Sequence, residues 1–371
     1  MFAKGQSVIQ LFEKLAPKHY AVPDDKIGLQ LGTLQKEIKK ILVALDVTDE
    51  VVDEAIRTGA DLIIAHHAII FRPLAHLQTD TPAGRLYEKL IKNDIAVYIA
   101  HTNLDVAEGG INDLMAEALG LKDLVPLDEV HTEKLSKLVV FVPESHHEKV
   151  LQALFQAGAG WIGDYSHCSF NISGTGTFMP REGTKPFLGE QGKLERADEV
   201  RVETIVPAGI QRAVVQALLK AHPYEEVAYD LYPMDLKGRT FGLGRAGKLP
   251  EPRTLRELVE AAKQAFDVPT VRVVGDLDRT VRKAAVLGGS GGRYVRSAMF
   301  AGADVLVTGD IDYHTAHDAL AAGMCLIDVG HNVEKIMKRA VADYMNRALA
   351  EKKYETVAAA SEPSTEPFQF V

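Results

Sequence analysis

Three short stretches of the chain carry the residue types that hold divalent cations. His66-His67 follows the apolar run Leu62-Ile63-Ile64-Ala65, Asp105 closes His101-Thr102-Asn103-Leu104-Asp105, and His331 and Glu334 form a His-x-x-Glu after Gly330. Within a regular strand, neighbouring side chains point to opposite faces and could not share one ion. Where the chain turns at a strand end, each of two adjacent histidines can address a different ion of a pair. A carboxylate such as Asp105 adds a hard oxygen ligand and offsets the dication charge. His331 and Glu334, three positions apart on a first helical turn, project from one face. Each stretch alone also has a plainer reading. The pair His146-His147 reads as a solvated helix start, Asn103 and Asp105 suit a cap before Gly109-Gly110, and His331 with Glu334 suits a helix surface. Jointly they supply three imidazoles and two carboxylates, enough for two ions roughly 3.5–4 Å apart. Nitrogen and oxygen ligation without thiolate suits zinc as first choice, or iron, manganese or cobalt.

Other residues near these could serve the same chemistry. Asp310 and His314, in Thr308–His314, are candidate catalytic groups that would shuttle protons. Gly288–Gly292 follows a strand-like run and could present backbone N–H groups to phosphate, with Ser290 as a candidate substrate contact. That run lacks the P-loop lysine and the dinucleotide-binding spacing, so a plain tight turn fits it equally well.

All of these residues fall where strands end. Ile41–Asp46, Asp61–Ala65 and Ile95–Ala100 are apolar runs separated by the helix-period stretches Asp49–Thr58 and Pro82–Asn93. This alternation predicts an α/β core with a mostly parallel buried sheet. The phrase TGADLII (Thr58–Ile64) returns as AGADVLV (Ala301–Val307) in a similar setting, with further strands at Ala284–Leu287 and Met324–Ile327, so the core reads as a duplicated α/β unit. Sites in such sheets form beyond the carboxyl ends of the strands.

A second repeat lies between the halves. VPESHHEKVLQALFQA (142–157) matches VPAGIQRAVVQALLKA (206–221), each copy reading as a strand that turns at proline into an amphipathic helix. Further strands at Ser169–Thr177 and Val227–Tyr232 make two β-α-β units, a ferredoxin-like α+β layer, with Arg181–Asp198 as a loop. The expected organisation is an insert at 128–237 interrupting a core of 1–127 and 238–371. The tail Ser361–Pro367 is loop-like, while Tyr354–Ala359 and Phe368–Val371 could be strand.

The net charge of −9 disfavours nucleic acid and anionic membranes, so any anionic ligand needs a local positive feature such as a metal ion. Only Cys168 and Cys325 occur, in separate regions, which points to a reducing compartment rather than a disulfide framework. No apolar run approaches the roughly 20 residues that span a bilayer. The N-terminal stretch reads as an amphipathic helix and not a signal peptide. A soluble cytoplasmic protein is expected.

With these phrases in view, the chain resembles the NGG-interacting-factor-three-like family, whose bacterial members carry the name GTP cyclohydrolase 1 type 2. The matching phrases are ALDVT (Ala44–Thr48), HHAIIF (His66–Phe71), AHTNLD (Ala100–Asp105), GGSGG (Gly288–Gly292), TGDIDYH (Thr308–His314) and GHNVE (Gly330–Glu334). The resemblance implies a di-metal site with His66, His67, Asp105, His331 and Glu334 as ligands and a homo-oligomer, a hexameric ring. It also implies an insert similar to the PII and CutA folds, which Ala221–Glu226 matches. Two departures stand out. Ala68 replaces a frequent proline, and Asp24-Asp25-Lys26 replaces a frequent Trp-Asp-Asn, a change expected to bear on the entrance to the site and not on the ligands.

The implied reaction is hydrolytic opening of the guanine imidazole ring of GTP to formate and dihydroneopterin triphosphate. Two other readings stay open at this point: a two-metal phosphoester hydrolase, and a non-enzymatic regulatory or metal-handling ring.

Overall fold

A computed structural model describes residues 1–370. Two compact units are present: Met1–His131 together with the chain from Phe241 onward, and Thr132–Thr240.

The larger unit contains two mixed sheets with one wiring. In the first, Val357–Ala360, Lys40–Ala44, Leu62–Ala65 and Ala96–Ile99 lie side by side in parallel, and Gly28–Leu31 adds antiparallel to the last of them. In the second, Thr280–Ser290, Val305–Gly309 and Cys325–Asp328 are parallel, and Arg272–Val274 adds antiparallel to the last. In each sheet the strand that comes earliest of the four pairs, antiparallel, with the third parallel strand. The central strands are buried along their whole length, as Leu62–Ala65 and Ala96–Ile99 show. That burial explains their continuous apolar sequence, since a sheet covered on both faces leaves no position for alternation.

The repeated phrase is explained by local chemistry. Gly59 and Gly302 take left-handed backbone, φ 68° and 74°, each just after a helix. Glycine reaches that conformation without a Cβ penalty. Two residues on, Asp61 Oδ2 accepts the backbone N–H groups of Lys39 and Lys40, at 2.6 and 3.2 Å. Asp304 Oδ2 does the same for Arg282 and Lys283, at 2.8 and 3.0 Å. Each aspartate thus ties the start of one parallel strand to the start of the next. The helix Asp49–Thr58 is bounded by a Thr48 side chain that accepts from Val51 N and by Gly59, a pair of caps of which the first alone stabilises by about 1 kcal/mol.

In the smaller unit, the two copies of the inner repeat adopt one local structure. Each strand ends at Val-Pro, turns through three 3-10 residues (Glu144–His146 and Ala208–Ile210) and enters a helix (His147–Gln156 and Gln211–Ala221). Val150 and Leu154 are buried in the first helix, Val214 and Leu218 in the second. Strand Glu195–Pro207 lies between the strand ending at Pro143 and Ser169–Phe178, antiparallel to both. Its first four residues, Glu195–Asp198, lie inside the stretch expected as loop.

Two further expectations meet a different outcome. The glycine run is not a turn up to Ser290: strand Thr280–Ser290 continues through Gly288 and Gly289, with a register shift between Val286 and Ser290. At the tail, Val357–Ala360 is strand but Phe368–Phe370 is not, and Val371 lies outside the described residues. No helix among the described residues is long and apolar enough to cross a membrane.

Candidate metal centre

Both sheets of the larger unit deliver side chains to one place. His66 and His67 stand directly past Leu62–Ala65, whose Ala65 is still in register with Ala44 and Ile99. Asp105 lies on the short helix Thr102–Val106 after Ala96–Ile99. His331 and Glu334 lie on a 3-10 helix, His331–Ile336, after Cys325–Asp328. In a 3-10 helix residues three apart eclipse, so the two side chains share a face.

Glu334 is at the middle. Its Oε1 lies 3.6 Å from His66 Nε2, and its Oε2 lies 3.1 Å from His67 Nε2 and 3.3 Å from His331 Nε2. Asp105 Oδ1 lies 3.9 Å from His66 Nε2. Three overlapping groups could hold a metal ion: His66, Asp105 and Glu334; His67, His331 and Glu334; and His66, His67 and His101.

The residues fit a cation by an independent test. His66 Nε2 and Asp105 Oδ1 are buried with no hydrogen-bond partner. A buried polar atom left unpaired costs about 1–3 kcal/mol. The separations of 3.6 and 3.9 Å around His66 Nε2 are too long for hydrogen bonds. They are close to the ~3.4 Å expected between two ligands each about 2.1 Å from one ion.

The four imidazoles are held alike. Each Nδ1 meets an oxygen acceptor: the Ala100 carbonyl for His66 (2.9 Å), Asp46 for His67 (2.6 Å), Asp25 for His101 (2.8 Å) and Asp310 for His331 (2.6 Å). These carbonyl and carboxylate oxygens accept, so the Nδ1–H donates and Nε2 is the edge turned to the cluster. Anchoring of this kind fixes ring orientation and raises ligand basicity.

Without an ion, protons balance the charge. Burial opposes ionisation of Glu334, but His66, His331 and His67 outweigh it and hold its carboxyl well below the usual range. Burial raises Asp105 to about 6 against the pull of His66. His67 rises to about 10 because hydrogen bonds to Asp46 and Glu334 overcome its burial, and His331 rises to about 9, chiefly through its bond to Glu334.

The sequence-derived candidates separate into two sets. His66, His67, Asp105, His331 and Glu334 come together, and Asp310 joins them through His331. His314 is exposed at the start of helix Tyr313–Ala321, where its backbone N–H meets Asp312 and its ring meets Tyr313. Ser290 is exposed at its strand end. The glycines beside it serve packing: a Cβ at Gly289 would lie 2.6 Å from Glu334 Oε1 and 3.2 Å from His331 Nε2.

His101, Asp46 and Asp25 were not singled out from the sequence. Asp25 bears on an imidazole directly, because Gly28–Leu31 pairs antiparallel with Ala96–Ile99 and brings the preceding loop to the end where His101 sits. A signal for His101 was present. It follows the third parallel strand of the first half as His331 follows that of the second.

A cavity of about 840 Å³ opens beside His67, Asp310 and His331, and is also lined by Arg272, Asp328 and the tail from Thr365 to Phe370.

Known proteins resemble this chain over its full length. A protein named "GTP cyclohydrolase 1 type 2 homolog" from Halalkalibacterium halodurans is 57% identical over 369 residues, covering 100% of this chain and 99% of its own. One of the same name from Bacillus subtilis is 53% identical over 367 residues, covering 99% and 98%. The crystal structure of a Bacillus cereus protein related to NIF3 superposes with a TM-score of 0.94 at 54% identity, covering 100% of both chains. A model of the Duf34/NIF3 (NGG1p interacting factor 3) family matches residues 3–367, and the chain belongs to that family.

Proposed function

We propose that this chain is a two-metal hydrolase of a nucleotide, in its specific form opening the guanine imidazole ring of GTP to give formate and dihydroneopterin triphosphate. The observation that carries the reading is the Glu334 carboxylate, with one oxygen toward His66, which Asp105 also approaches, and the other toward His67 and His331. One ion would be held by His66, Asp105 and Glu334, the other by His67, His331 and Glu334, with His101 at the His66–His67 edge. A divalent ion held there supplies Lewis acidity and brings the ionisation of water down to about pH 7.

The chain's own groups do the rest. Asp46, Asp25, Asp310 and the Ala100 carbonyl keep the imidazoles aimed inward. Asp310 is exposed to the cavity and bonded to His331, where it can take up or return a proton. The cavity of about 840 Å³ suits a ligand of nucleotide size. The names of the relatives favour GTP over other phosphate esters.

The smaller unit supports a ferredoxin-like, PII/CutA-like assignment. Its strands run in the order Tyr229–Thr254, Lys122–Pro143, Glu195–Pro207, Ser169–Phe178, with a helix after the first and third in sequence. We extend the proposal to a homo-hexamer, which sedimentation of the full chain tests.

The decisive experiment incubates zinc-loaded protein with GTP and follows formate and a fluorescent pterin. Both are expected, and Glu334→Gln should abolish both together with the bound metal. An unchanged rate in that variant removes the assignment. Phosphate release without formate moves the reading to a phosphoester hydrolase.

A further inference from the structure

The segment after the last strand is held firmly beside the centre. Ser361 donates its N–H to the Val43 carbonyl at 2.8 Å and its hydroxyl to Glu54 Oε2 at 2.6 Å, and Glu362 N–H donates to Glu54 Oε1 at 3.1 Å. Lys338 Nζ donates to the Ser361 carbonyl at 2.8 Å. Thr365 donates its hydroxyl to Asp46 Oδ2, and the other oxygen of that carboxylate holds His67 Nδ1. The chain then runs along the cavity, where Pro367, Phe368 and Phe370 form part of the wall.

Phe368 and Phe370 are 71% and 55% exposed, although the segment leading to them is anchored at both Glu54 and Asp46. Exposed aromatic rings at the lip of a cavity, on a segment anchored just before them, mark a binding surface. The cavity is otherwise poor in groups that would select a phosphate. Arg272 is the one lysine or arginine among the described residues that line it; its Nη2 is engaged by Asp328 and by the Ile311 carbonyl, and its side chain is 71% exposed. Asp46, Asp310 and Glu366 add negative charge. Beyond that one guanidinium, the acidic and aromatic lining favours an uncharged, flat part of the ligand.

We infer that Phe368 and Phe370 are specificity-determining residues, a stacking wall for the heterocyclic base of a nucleotide whose polar end reaches the His67–His331 side of the centre. This inference rests on the nucleotide reading above and sharpens it: the site selects the base, while the ions take the anionic part. Thr365 registers the wall to the centre through Asp46.

The test compares equilibrium binding of guanosine monophosphate and ribose 5-phosphate to the zinc-loaded full chain. The two ligands share the sugar and phosphate and differ in the base. The unaltered protein should prefer the nucleotide by at least about 10-fold, the scale of aromatic stacking on a base. Phe368→Ala with Phe370→Ala should erase that preference while leaving ribose 5-phosphate affinity and zinc content unchanged. Phe368→Tyr should keep it and Phe368→Leu should weaken it, because only the former retains a flat ring. No preference in the unaltered protein, a preference that survives the double alanine variant, or a change in sedimented mass in that variant overturns the inference, the last because the rings would then pack between copies. Absence of formate from GTP, with the base preference and its loss intact, would sink the hydrolase reading and leave the wall standing.

Discussion

The two halves of the larger unit share one wiring and end their strands in different chemistry. Past the second parallel strand the first half has His66-His67, and the second has Asp310 after the strand's last residue, Gly309. After the third, the first half has His101 and Asp105 and the second has His331 and Glu334. His67 and Asp310 occupy matching places, yet one turns a ring nitrogen to Glu334 and the other holds His331 by its Nδ1. The wiring supplies a set of positions around one opening, and the residue type at each decides whether it turns toward Glu334 or braces a neighbouring ring. Glu334, from the second half, meets His66 and His67 from the first and His331 from its own.

The comparison predicts a ranked series of effects. The largest concerns protons. His67 and His331 are protonated at neutral pH in the metal-free centre, with values raised to about 10 and about 9. An ion must displace both protons, so zinc affinity should rise about 100-fold per pH unit near neutrality. A titration series giving a slope near zero would show that neither ring is a ligand. In the metal-free protein the sign reverses. Both rings lie above the ordinary imidazole value of 6.5, so their stabilisation is complete below it and is lost as pH climbs through about 9 and 10. Its melting temperature should fall over that window.

Next come the braces, one from each half. Asp46→Asn and Asp310→Asn should each weaken zinc binding by roughly 10–100-fold without unfolding the chain. If only Asp46→Asn has an effect, His331 is not held as a ligand and the halves are less alike than their strand ends suggest. Gly289→Ala should be smaller and mixed. The strain of a Cβ at φ 64°, set 2.6 Å from Glu334 Oε1, should cost about 1–3 kcal/mol of stability and also lower zinc content. His314→Asn should do least, within about 0.5 kcal/mol and with zinc content unchanged, because its side chain is exposed and away from the cluster. A loss of zinc there would show that helix Tyr313–Ala321 moves onto the site.

Much of this was legible because it is written in local chemistry. Buried parallel strands need continuous apolar runs, so Leu62–Ala65 and Ala96–Ile99 stood out, and side chains just past them were candidates by position alone. The Asp of each repeated phrase was visible as a repeat, but its task, bracing two strand N–H groups, was not. Asp46 carries no mark in the sequence and Asp25 reads there only as part of the entrance, because a brace has no spacing rule: each lies far in sequence from the ring it holds, and only the pairing of strands brings them together. The glycine run misled for a related reason. Glycines that end a strand and glycines that let it pass close to a buried carboxylate read the same until Glu334 is seen against Gly289.

Strand Val357–Ala360 lies parallel to Lys40–Ala44 and completes the first sheet. During synthesis, the early sheet therefore waits, with one edge of Lys40–Ala44 uncovered, until Val357–Ala360 has left the ribosome. Non-local pairing of this kind slows folding and leaves a sticky edge open to other chains. The early segment is the natural place for a chaperone to hold, and a fragment ending before this strand should aggregate rather than fold.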